Sequence, residues 1–148
     1  MKNENAPAPF ILIAEDNADD QLLLQYAFRA AGLPNKFHMV NNGAEAITWL
    51  TSAREQPNNL LFPAPGLVIL DIQMPYKTGL QVLEWIRNEP AYATLPVVVM
   101  SGNHLPETVE RALKLGAQSY LFKPGDYSEL AGFIYDFNLL HSLHACET

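Results

Sequence analysis

Cysteine is almost missing from the sequence. The single one, Cys146, lies near the C-terminal end, so no internal disulfide can brace the fold and a reducing compartment is permitted. Long apolar runs are missing as well. Those present are strand-sized and the N-terminus carries no signal-peptide pattern, so no membrane span is expected and a cytoplasmic location is. Basic residues are scarce: 9 against 16 acidic, a net charge of −7, which argues against a phosphate-backbone partner such as nucleic acid. Apolar residues are plentiful, and 49% hydrophobic content in 148 residues builds one core with no room for a second output domain. Residues 1–9, MKNENAPAP, read as a disordered lead-in, and residues 10–148 as a single domain.

Two stretches organise the remainder. Phe10-Ile11-Leu12-Ile13-Ala14 runs into Glu15-Asp16-Asn17, and Leu67-Val68-Ile69-Leu70 runs into Asp71. A short, continuously apolar run reads as a parallel strand covered on both faces, since only a strand with no solvent face dispenses with polar alternation. The acids then sit at the C-terminal ends of strands, the edge where open α/β sheets bind ligands. Three crowded carboxylates repel, and a divalent cation is the usual remedy.

Turn and cap signals divide what lies between. Asn17 can cap a helix with Asp19 and Asp20 in its first turn, a stripe of Leu23, Ala27 and Ala30, and Leu24 and Phe28 beside it. Gly32 and Pro34 stop it. A strand over Lys36–Val40 precedes a helix whose apolar stripe is Ala46, Trp49, Leu50 and Ala53. Residues 54–66 form a long loop holding Leu60, Leu61 and Phe62, a triplet expected to fold back on the core. Thr78 and Gln81 make a capping box ahead of Leu80, Leu83 and Ile86. Val97–Met100 is a strand stopping at Ser101-Gly102, Pro106 opens a helix that closes at Gly116, and Gln118–Phe122 is a last strand ending at Lys123-Pro124. Asp126 and Glu129 bracket the start of the final helix. Five strands alternate with five helices, the pattern of an α/β domain with a parallel sheet and helices on both faces.

Glu15-Asp16-Asn17, Asp71 with Met74-Pro75 and Gly79, Ser101, Gly116-Ala117, Tyr120 and Lys123-Pro124 stand in the order and spacing of one family. The sequence resembles the receiver domain of two-component response regulators from residue 10 to about residue 140. The resemblance implies a flavodoxin-like, doubly wound (βα)5 sheet with strand order 2-1-3-4-5. It implies that Asp71 accepts a phosphoryl group from a sensor histidine kinase, that Glu15, Asp16, Asp71 and the backbone carbonyl of Gln73 bind Mg2+, and that Lys123 and Ser101 contact phosphoryl oxygens. Ser101 and Tyr120 would form the switch, and the Lys123–Pro124 peptide would be cis. Gly102 departs from the alanine more common in the family. The long loop and single domain are similar to stand-alone regulators paired with bacterial phytochromes, acting through a downstream protein that the sequence does not name.

Two other functions compete. A haloacid-dehalogenase-like phosphatase also uses an aspartyl phosphate, but Asp71 is followed by Ile72 and Gln73, without the second aspartate of an Asp-x-Asp pair. A phosphorylation-independent scaffold would have no need of Asp16, Asp71 and Lys123 together. His141, His144 and Cys146 give an H-x-x-H-x-C spacing of little metal specificity, and His38 and His104 have no paired ligand nearby in sequence. The final helix is richer in apolar residues than one stripe needs. Leu130, Ile134 and Phe137 suffice for a sheet, so Phe133, Tyr135, Leu139 and Leu143 point to a homodimer formed through this helix, the last strand and the fourth helix.

Overall fold

A computed structural model describes residues 8–74, 76–102, 105–123 and 127–147, the last five by backbone only. Five strands, β1 (Ile11–Ala14), β2 (Phe37–Val40), β3 (Leu67–Asp71), β4 (Val97–Ser101) and β5 (Ser119–Phe122), pair in parallel in the order β2-β1-β3-β4-β5. Five helices connect or follow them: α1 (Ala18–Ala30), α2 (Gly43–Glu55), α3 (Gly79–Asn88), α4 (Pro106–Lys114) and α5 (Tyr127–Glu147). A 3-10 turn, Pro90–Tyr92, follows α3 and was not anticipated from the sequence. Among the described residues no helix is long and apolar enough to cross a membrane.

Strand alternation sorts the apolar runs onto two faces. Leu12, Ala14, Val68, Leu70, Val97 and Val99 pack with Ala46 and Leu50 of α2 and Leu83 and Ile86 of α3. Ile11, Ile13, Leu67, Ile69, Val98 and Met100 pack on the other face with Leu24 and Phe28 of α1 and Leu130 and Ile134 of α5. Every residue of β1, β3 and β4 is buried, which is why these strands carry no polar alternation.

The helix starts follow their caps. The side chains of Asn17, Asn42 and Thr78 each accept from a backbone N–H in the first turn, and Gln81 completes the reciprocal box with Thr78. The Asp126 side of the expected α5 box lies outside the described residues, as do Pro75, His104 and Pro124, and with Pro124 the expected cis peptide.

Three sequence expectations need correcting. In α1 the buried residues are Leu24 and Phe28, while Leu23 and Ala30 face outward. The loop triplet divides. Phe62 packs edge-on against Trp49 at 5.1 Å, and the Trp49 indole donates to the Pro63 carbonyl at 3.1 Å, but Leu60 and Leu61 are 93% and 74% exposed. Lastly, packing begins before Phe10: Pro9 is buried and its carbonyl accepts from the Asn35 side chain at 2.8 Å. The rest of the expected lead-in, residues 1–7, lies outside the described residues.

Candidate phosphoacceptor site

The parallel register brings the C-terminal ends of β1, β3, β4 and β5 to one edge, and the polar residues that end those strands meet there. Asp71 ends β3 and is 6% exposed; Glu15, directly after β1, is 1% exposed. Asp16 beside it is exposed. One oxygen from each of these three carboxylates lies within 4.8 Å of the others. Lys123, directly after β5, closes the group: its amine pairs with Glu15, with Asp71 Oδ2 at 3.0 Å and with Asp20 Oδ2 at 3.2 Å. Ser101 ends β4 fully buried, and its carbonyl accepts from the Lys123 N–H at 3.0 Å. A cleft of about 420 Å³ opens over this edge, lined by Asp16, Asn17, Asp20, Asp71, Gln73, Gly102 and Lys123.

Local backbone geometry fixes these groups. The Gln73 N–H donates to Asp71 Oδ1 at 3.2 Å, which orients the carboxylate. The Gly79 N–H donates to the Ile72 carbonyl at 3.0 Å, and a Cβ on Gly79 would fall 2.3 Å from the Asp71 carbonyl oxygen, so only glycine lets α3 start this close to the strand end. At Gly102 an added Cβ would meet nothing within 4 Å, so the departure from alanine is not imposed by crowding.

The charges act on one another. Burial pushes the Glu15 carboxyl above its ordinary range; the Lys123 hydrogen bond pulls it back, and the Asp71 charge pushes it up again. For Lys123, burial alone would lower the ammonium, but the Glu15 hydrogen bond and the Asp71 and Glu15 charges outweigh it and hold the pKa above its usual value. The three grouped donors are all carboxylate oxygens beside an accessible cleft, which fits a hard divalent cation rather than a thiolate- or imidazole-binding metal.

Of the residues expected from sequence, Glu15, Asp16, Asp71 and Lys123 converge, Gln73 lines the same cleft, and Ser101 ends the strand between Asp71 and Lys123. Tyr120 is half-buried on β5, opposite Val99 in register and edge-on to Phe122 at 5.5 Å. Of the H-x-x-H-x-C residues only the His141 side chain is described, and it is exposed. Sequence reasoning missed Asp20 and Tyr127. In sequence Asp20 reads only as a helix-dipole partner, although the first turn of the helix after β1 must face the same edge as Glu15.

The family model for the response regulator receiver domain matches residues 11–135. Response regulator Rcp1 of Synechocystis sp. is 29% identical over 130 residues, covering 88% of this chain and 86% of that protein. The Mn2+-bound crystal structure of Rcp1 superimposes with a TM-score of 0.74 at 28% identity, over 87% of this chain and 93% of that one. The phosphorylated cyanobacterial phytochrome response regulator RcpA gives 0.72 at 28% identity, over 88% and 91%. The bacteriophytochrome response regulator RtBRR gives 0.74 at 26% identity, over 87% and 77%. With the sheet order, the strand-end acids and the lysine all in place, the chain belongs to the response regulator receiver domain family.

Proposed function

We propose that this chain is a phosphorylation-controlled regulator whose Asp71 accepts a phosphoryl group from a sensor histidine kinase of the bacterial phytochrome type, with Mg2+ as the metal. The observation carrying this reading is the Asp71 carboxylate, buried among acids yet 3.0 Å from the Lys123 amine and open to a cleft. In the transfer, an Asp71 oxygen forms a bond to phosphorus as the bond from phosphorus to the kinase imidazole nitrogen breaks, and that nitrogen keeps the electron pair. Anion meets anion, so rate comes from positioning and charge neutralisation. Glu15, Asp16, Asp71 and the Gln73 carbonyl would hold Mg2+, which supplies neutralising charge to the phosphoryl oxygens. Lys123 supplies a compact positive charge to one phosphoryl oxygen, and the Ser101 hydroxyl donates to another. Tyr120, on the edge strand next to the one that ends in Ser101, would carry the change towards the β5 and α5 surface, where a downstream protein or a second copy binds. RcpA and RtBRR, named as phytochrome regulators, support the choice of kinase.

Incubation with acetyl phosphate and Mg2+ followed by intact-mass measurement tests the reading. The parent should gain one phosphoryl group and Asp71→Asn none. Equal labelling of the substituted chain would sink the assignment, and a parent that never labels while the kinase partner still binds it would favour a scaffold.

A further inference from the structure

The Lys123 amine is ringed by carboxylates. An ammonium has three N–H donors, and here they face three carboxylates: Glu15, Asp71 and Asp20. Asp20 differs from the other two. It comes from the first turn of α1 rather than from a strand end, and its side chain is 26% exposed where those of Glu15 and Asp71 are 1% and 7%. Its second oxygen, Oδ1, lies 3.4 Å from the hydroxyl of Tyr127, the first residue of α5, which is itself buried. Burial and the Asp20 charge both push the Tyr127 hydroxyl upward, so it stays protonated and able to donate. With one oxygen on a buried hydroxyl and the other on the ammonium, Asp20 is oriented by two elements, α5 and the end of β5. Nothing in the mechanism above uses it.

We propose that Asp20 is a positioning residue that latches the Lys123 amine in the resting site, and that this latch must open for a phosphoryl group to settle on Asp71. The inference rests on the reading of Asp71 as the phosphoacceptor. With three carboxylates packed around the amine, a phosphoryl oxygen reaches it by displacing one of them. Glu15 is buried and Asp71 is the acceptor. Asp20 is nearest to water, so its release costs the least desolvation. Its charge also lines the cleft through which an anionic donor arrives, and like charges there oppose approach. Neutralising Asp20 weakens its hold on the amine and reduces the repulsion, and both effects speed uptake.

The test compares the parent with Asp20→Asn, which keeps the side-chain size, and with Tyr127→Phe, which keeps the Asp20 charge but removes the hydroxyl that orients it. The measurements are the rate of phosphoryl uptake from acetyl phosphate at saturating Mg2+ across a range of ionic strength, and Mg2+ affinity by calorimetry without donor. Asp20→Asn should take up phosphoryl groups roughly three- to tenfold faster with a shallower salt dependence, while Mg2+ affinity weakens by no more than about threefold, as for loss of one partly screened charge. Tyr127→Phe should shift uptake the same way by less. Uptake in Asp20→Asn that is unchanged or slower, beside a parent that labels normally, overturns the latch. Slower uptake with Mg2+ affinity weakened about tenfold or more would make Asp20 a metal ligand instead. A lowered unfolding midpoint with an unaltered salt dependence would reduce it to a helix-start residue. A parent that takes up no phosphoryl group overturns the Asp71 assignment and the latch with it.

Discussion

Asp16 and Glu15 are neighbours with different tasks. Glu15 is buried and pairs with Lys123, and its carboxylate also accepts from the Asn17 N–H at 3.1 Å, so the fold depends on it locally. Asp16 is exposed, and the Lys123 pairs run to Glu15, Asp20 and Asp71. Removing the Asp16 carboxylate relieves repulsion and, on the metal-binding role proposed above, takes away a ligand at once. Asp16→Ala should therefore unfold at the same temperature as the parent or higher in metal-free buffer, and bind Mg2+ at least about tenfold more weakly, the scale reached even by groups one shell out from a metal. Thermal melts with and without Mg2+ check both halves. A large loss of stability without metal would show Asp16 to be a structural cap.

At the scale of elements, the sequence was most readable where burial is complete. β1, β3 and β4 are legible because continuous apolar runs have few other uses, and the acids at the ends of β1 and β3 mark the edge where the polar groups meet. The α1 stripe was less readable, since Leu23-Ala27-Ala30 and Leu24-Phe28 are adjacent rows on one cylinder. Which row faces the sheet is settled by packing against α5, and helical periodicity alone does not contain that choice. Arg87 shows another limit. It lies in the last turn of α3, where a positive charge suits the helix dipole, and its guanidinium donates to the Leu95 carbonyl and the Gly116 carbonyl, both at 2.8 Å, and more loosely to those of Tyr92 and Ala93. One side chain thus joins the 3-10 turn, the approach to β4 and the turn from α4 into β5, where Gly116 adopts φ of +93°. Arg87→Met keeps the apolar stem and strands these acceptors, so it should cost about 1–3 kcal/mol, read as a lower urea midpoint with an unchanged slope. Lysine should not rescue it, because a point charge lacks the planar fork.

At the scale of the whole molecule, the apolar excess of α5 is partly absorbed and partly not. Leu130 and Ile134 are fully buried, and Phe133 stacks on Phe137 with ring centroids 6.4 Å apart. Tyr135 lines an open groove of about 570 Å³ with Leu23, Tyr26 and Ala27 of α1 and stays 59% exposed there, on the α1 side of the helix. The Leu143 side chain lies outside the described residues. Leu139 and Leu140 stay 48% and 57% exposed, and Leu113 of α4 and Phe122 of β5 are 48% and 37% exposed. Phe133 and Leu140, seven residues apart, share one face of α5. Apolar side chains of this size left in water on three neighbouring elements commonly mark an interface, and a twofold pair is the simplest way to cover them. Leu139→Glu together with Leu140→Glu should leave stability nearly unchanged, since both positions are already half in solvent, and should convert a dimeric parent into a monomer. Sedimentation velocity with and without a phosphoryl mimic decides it: a parent that stays monomeric at high micromolar concentration in both states removes the dimer, and with it the idea that Tyr120 reports to a second copy.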